Sequence, residues 1–133
     1  MQNTITLKTG RVGGTVADGF EYRDKFDEIA VGDYLSESLV TDTIIWEVVK
    51  VTAKTVTIRT TQDAGEITED TRVDKAPMPV LWEARKANPA GRTQTLRVRK
   101  DGSVRLGDHA GSRPLYPARM INGKPVRRVD YRF

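Results

Sequence analysis

The sequence predicts a mostly-β fold, a small and partly open barrel of five or six strands, on three observations. Two segments carry β-branched residues on both sides of a short turn, so each reads as a hairpin. Gly, Pro, Asn and Asp punctuate the chain at close spacing, as short strands joined by tight turns require. With 133 residues, 38% hydrophobic and 30% charged, the chain can bury one core and is too apolar for wholesale disorder. One domain is expected over residues 1–133, with a barrel core at about 31–107 and a carboxy-terminal extension, 108–133, packed on it.

Taken in order, the Thr- and Gly-rich segment from Thr4 to Val16 supplies an initial edge strand. Asp18 is followed three residues later by Glu21, the spacing of a capping box, and Tyr22, Phe26 and Ile29 recur at helical intervals. One short helix is therefore predicted over 19–29. Gly32-Asp33 punctuates, and the rest reads as strands.

The first hairpin is IIWEVVKVTAKTVTIRT, with Ala53-Lys54 as a two-residue loop. Val51 then faces Val56 and Val49 faces Ile58, which gathers four aliphatic residues on one face. A slip of one residue mixes them with Lys50 and Thr57. The second hairpin, TLRVRKDGSVRLG, demands a three-residue loop, Lys100-Asp101-Gly102. Val98 then faces Val104, Leu96 faces Leu106, and Gly102 takes the left-handed position of a bulged turn. The same register puts Arg97, Arg99 and Arg105 together on the other face.

Between the hairpins, Gln62 to Lys75 reads as an acidic, turn-rich loop. Val80 to Arg85 follows as a strand, and Asn88-Pro89-Ala90-Gly91 as a turn. After Leu106 the chain is expected to be irregular, with a turn at Asn122-Gly123 and a last apolar strand carrying Val129, Tyr131 and Phe133. The stretch VGDYLSESLVTDTIIWEVVKVTAKTVTIR resembles the opening strand and first hairpin of SH3-like barrels. The whole chain, including YPARMINGKPVRRVDYRF, is similar to small uncharacterised proteins of actinobacteria and their phages. That resemblance implies a fold and no functional residues.

Several chemistries are excluded by composition. Without cysteine there is no disulfide, no thiolate metal site and no cysteine nucleophile, which fits a reducing compartment. No apolar run is long enough for a signal peptide or a membrane helix, so a soluble, cytoplasmic protein is expected, in the host cytoplasm if phage-encoded. His109, the single histidine, has Asp108 beside it but lacks the partners of a catalytic base and reads as a surface-loop residue. Asp63, Glu66, Glu69, Asp70 and Asp74 lack the spacing of a calcium loop and read as a solvated acidic segment. Neither a metal nor a cofactor is expected, and no enzyme.

Charge is the informative feature. Residues 1–83 hold 9 Lys/Arg against 15 Asp/Glu, and residues 84–133 hold 13 against 3, which together give the net +4. Such asymmetry points to a polyanionic partner. Arginine suits phosphate because its planar fork bonds two oxygens at once. Arg97, Arg99 and Arg105, with Arg127, Arg128 and Arg132, are therefore the expected nucleic-acid contacts, for DNA or RNA with little sequence preference; neutralisation of the acidic half within the fold is the competing explanation. Trp46 falls opposite the Val49/Val51 face, beside Arg59. It is either an exposed protein-interaction site for a host protein or covered by the carboxy-terminal segment. A binding module, for nucleic acid first and for a host protein or its own copies second, is the function expected.

Overall fold

Why the amino terminus forms strands and not a helix is visible in its burial. In the computed structural model, which describes residues 4–12, 23–38, 43–69, 80–107 and 112–128, strand β1 (Thr4–Val12) buries Ile5, Leu7 and Thr9 and exposes Thr6. That is the period of two of a strand lying on a core. It pairs antiparallel with β2 (Arg23–Ala30), Ile5 opposite Ile29, in a separate two-stranded ribbon. The helix predicted over 19–29 is thus corrected: its described part is β2. Phe26, which helped set the helical spacing, is 52% exposed, and Asp18, Glu21 and Tyr22 lie outside the described residues. Among the described residues there is no helix, and so none long and apolar enough to cross a membrane.

The remaining strands are β3 (Tyr34–Ser38), β4 (Thr43–Val51), β5 (Thr55–Glu69), β6 (Val80–Ala87), β7 (Thr93–Arg97), β8 (Tyr116–Pro117), β9 (Met120–Ile121) and β10 (Lys124–Arg128). They form one curled antiparallel sheet in the order β8-β3-β4-β5-β6-β10-β9, with β7 also on β5. The mostly-β, barrel-like expectation is met. The carboxy-terminal segment, expected to be irregular, supplies the strands at both ends of that order. Asn122-Gly123 makes the expected tight turn, both residues at positive φ, 52° and 77°, between β9 and β10. The strand expected at Val129–Phe133 lies outside the described residues.

β5 organises the sheet. One edge carries β4; the other carries β6 along its second half and β7 along its first. Its length corrects the acidic loop expected from Gln62. Gly65, which reads as a turn residue, sits at φ 103° in a β-bulge between Asp63 and Glu66, and the strand continues to Glu69. β6 and β7 run in the same direction along β5, interrupted by an excursion at 88–92. The Asn88 carbonyl accepts from Gly91 N (2.8 Å) and its side chain accepts from Ala90 N (3.2 Å). A Cβ on Gly91 would lie 2.6 Å from the Thr60 carbonyl oxygen, so only glycine fits there.

The first hairpin keeps its two-residue loop. No residue of it takes positive φ; Thr52 Oγ1 accepts from Thr55 N (3.0 Å) and replaces the glycine-dependent turn. Val51 faces Val56 as expected, but Val49 is bulged out, and Val48 faces Ile58. The bulge reverses the face of everything before it. Val48 therefore joins the core, and Trp46, expected on the opposite face, packs half-buried against the cluster of Ile5, Leu7, Ile29, Leu35, Val48, Val51, Val56, Ile58, Leu96, Val104 and Leu115. This core lies between the ribbon and the large sheet, and it draws on residues outside the expected 31–107.

The second hairpin has the expected three-residue turn. Arg99 N donates to Ser103 O (2.9 Å), Gly102 N donates to Arg99 O (2.9 Å), and Gly102 has φ 90°. Past Ser103 the returning arm leaves the ladder, because the Val104 carbonyl accepts from Leu115 N (2.9 Å). Leu96 pairs with Val56 of β5, not with Leu106.

Candidate binding groove

Because β7 ends at the head of β5, with Arg97 opposite Thr55, the turns of the two hairpins come together: Val98 N donates to Lys54 O (2.8 Å). The peeling away of the returning arm then leaves an open groove of about 870 Å³ between them. Lys54, Arg97, Arg99, Lys100 and Arg105 line it, with Thr95, Leu96 and Leu106, and among the described residues no acidic side chain does.

The arginines predicted as one exposed face do share this groove, but they are not equivalent. Arg97 is exposed, as are Lys54 and Lys100. Arg99 is half-buried and donates to the Gly107 carbonyl. Arg105 is held by three partners: Ser112 O (2.5 Å), Ser103 Oγ (3.2 Å) and Asp101 Oδ2 (3.4 Å). Asp101 also accepts from Ser103 N (2.9 Å) and Oγ (2.7 Å). These two bonds, above the Arg105 and Lys8 charges, hold its carboxyl below the usual carboxylate range. Arg99 and Arg105 thus contribute charge from fixed positions while fastening the wall of the groove.

The second set of predicted arginines lies elsewhere. Arg127 stands opposite Glu83 across β10 and β6 and is paired with it at 3.0 Å. The other oxygen of Glu83 takes Arg85 at 2.9 Å. Arg127 is therefore a charge neutralised inside the sheet, its Nε buried without a partner. Arg128 faces Trp82 in register; Arg132 and His109 lie outside the described residues. Arg119, not singled out by the sequence, lies over the Trp82 ring at 4.8 Å.

Trp46 is half-buried on the core face of β4. Its indole nitrogen is buried without a hydrogen-bond partner of good geometry. It lies close enough to Glu37 to oppose the upward shift that burial gives that carboxyl. A second, smaller groove carries Asp27, Glu28 and Asp33. Two of these acids serve the fold, Asp27 accepting from Thr9 Oγ1 (2.5 Å) and Asp33 from Ala30 N (2.8 Å). Among the described residues no group of three His, Cys, Asp or Glu is placed to hold a metal.

Lys54, Lys100 and Thr95 are groove residues that the sequence does not single out. Both lysines are visible in it as turn residues; what brings them together is the pairing of β7 with β5. These features define a class, a small antiparallel β protein with a cationic groove at a sheet edge. No family model matches the chain, and no curated protein or solved structure matches it either.

Proposed function

We propose that this chain is a non-enzymatic binding module whose cationic groove takes an extended anionic partner. One observation carries the reading: five cationic residues from two hairpins converge on one open groove that, among the described residues, no carboxylate lines. Neighbouring charges of one sign raise the local concentration of an opposite partner and steer its approach. We read the curled sheet as a partly open SH3-like barrel, and the cysteine-free composition supports a cytoplasmic site of action. Nucleic acid, held through its phosphates with little sequence preference, is the partner that the basic half of the sequence implies. An acidic segment of a protein is the second reading, favoured by the open backbone edge that β7 presents to the groove.

The test is titration of labelled single-stranded and duplex DNA and RNA, and of heparin, at low and physiological salt. The wild type is compared with the variant Lys54→Gln/Arg97→Gln/Lys100→Gln, whose changes all fall on exposed side chains. Binding that weakens with salt, with a slope reduced by about one unit per cation removed, is expected for a phosphate-bearing partner. An anionic probe bound equally by wild type and variant would place its site elsewhere. A wild type that binds no anion at low salt would end the reading.

A further inference from the structure

The floor of the groove is a strand edge, and its register shows which backbone groups point into it. Val98 N donates to Lys54 O and Thr60 N donates to Arg92 O, at the two ends of the pairing between β7 and β5. In an antiparallel ladder, bonded and non-bonded pairs alternate. Gln94 and Leu96 therefore turn their N–H and C=O toward β5, and Thr93, Thr95 and Arg97 turn theirs away. Among the described residues β7 pairs only with β5. The next outward residue, Arg99, is met by Ser103 O. Arg97 would be met by Arg105 if the hairpin continued, but Val104 has turned to Leu115 and the returning arm is gone.

The groove thus occupies the place of a missing strand. We infer that it is filled by strand addition, by an extended acidic segment of a partner protein laid along β7. This rests on the groove being the binding site. An unprotected edge invites pairing, and proteins usually blunt one with proline, a bulge or a covering loop. β7, Thr93-Gln94-Thr95-Leu96-Arg97, has none of the first two, and four of its five residues are exposed. Its outward groups alternate donor and acceptor. A peptide strand supplies both in matching order. A phosphodiester supplies acceptors only, and would meet the carbonyls of Thr93, Thr95 and Arg97 with like polarity. Acidity follows from the walls: a residue opposite Arg97 shares its sheet face, and Lys54, Lys100 and the fixed charges of Arg99 and Arg105 stand around it.

The experiment uses the full chain and a fluorescent eight-residue peptide of alternating Glu and Val. Thr95→Pro removes the outward N–H at a position where an edge strand accepts proline. It is compared with Thr95→Ala, which loses the same hydroxyl contact to Thr57 (3.0 Å) but keeps the N–H. Strand addition predicts that the proline variant binds the peptide about tenfold or more weakly than the alanine variant, from the loss of an edge hydrogen bond and the approach it allows. On the wild type, a peptide N-methylated at alternate residues should lose as much. That comparison decides the matter if Thr95→Pro does not fold. Equal binding by the two variants, or by the two peptides, would mean that charge alone holds the segment and would overturn strand addition while leaving the groove. Strand addition is overturned in the same way if the peptide fails and a single-stranded oligonucleotide binds, with loss in the Lys54/Arg97/Lys100 variant. If neither binds, the groove itself is not the site.

Discussion

Gly102 closes the turn that forms one end of the groove, and its replacement can be worked out atom by atom. Its φ of 90° lies where an L side chain is strained. A Cβ there would stand 3.3 Å from Phe26 Cε1 and 3.6 Å from Lys8 Cβ. The first distance is tight, but the Phe26 ring is half exposed and free to swing. The cost is therefore mainly backbone: about 1 kcal/mol for Ala and about 2 for the β-branched Val, with Asn cheaper than either. For a chain of 133 residues, 1 kcal/mol corresponds to roughly 4 °C in Tm. Urea denaturation of Gly102→Asn, Gly102→Ala and Gly102→Val should give midpoints falling in that order at constant m. Adding Phe26→Ala to Gly102→Val should rescue little. A valine variant as stable as wild type would refute the positive-φ assignment. Full rescue by Phe26→Ala would show that crowding, not backbone strain, sets the cost.

Other perturbations test the neighbouring structure. Gly91→Ala should destabilise by about 1–3 kcal/mol, since its Cβ meets Thr60 backbone that cannot rotate away, and an unchanged Tm would contradict that close approach. Glu83→Gln weakens the hold on both Arg85 and Arg127 and should cost about 2 kcal/mol in urea unfolding at pH 7; no loss would show that both guanidiniums are satisfied without it. Asp101, with its folded pKa depressed chiefly by the Ser103 bonds, stabilises above the ordinary carboxylate range and loses that contribution as pH falls through the folded value. Asp101→Asn should therefore show a shallower fall in Tm on acidification, and an unaltered acid limb would count against it. Glu37, raised mainly by burial, has the opposite sign, so Glu37→Gln should gain stability near neutrality and not in acid; equal effects at both pH values would exclude ionisation as the cause.

How much is legible in the sequence depends on whether local chemistry or a distant partner decides the outcome. The turns at Ala53-Lys54, Lys100-Asp101-Gly102 and Asn122-Gly123 follow from it, because face consistency and glycine or asparagine conformations are local. The helix expected over 19–29 fails because Phe26 and Ile29, three residues apart, would share a helix face, whereas pairing with β1 makes a strand that buries Ile29 and leaves Phe26 on the exposed face. The bulge at Val49 leaves no residue-type signature: Val48 and Val49 are identical side chains, and the choice between them depends on the core they meet. That one extra residue also moves Trp46 to the core face. Of the candidate site, the basic hairpin is visible in the sequence; Lys54 and the open edge are not, since both depend on where β7 docks.

The charge asymmetry of the sequence has two different fates in the fold, and they separate fold from function. Where a cation meets a carboxylate in register, the charges neutralise each other across adjacent strands: Arg127 with Glu83 joins the basic half to the acidic one, and Arg59 with Glu47 (2.6 Å) closes a pair within the acidic half. Asp101 performs the same service for Arg105 within one turn, at 3.4 Å. Among the described residues Lys54, Arg97 and Lys100 form no ion pair of this kind, and they remain exposed on two converging hairpin turns. A surplus confined to one concave place attracts a partner, whereas the same surplus spread over the surface would be screened within about 10 Å at ordinary salt. The net charge of the chain is thus a poor guide to its partner. The position of three exposed cations beside a strand edge that is unpaired among the described residues is the better one, because it specifies a shape and a hydrogen-bonding pattern as well as a sign.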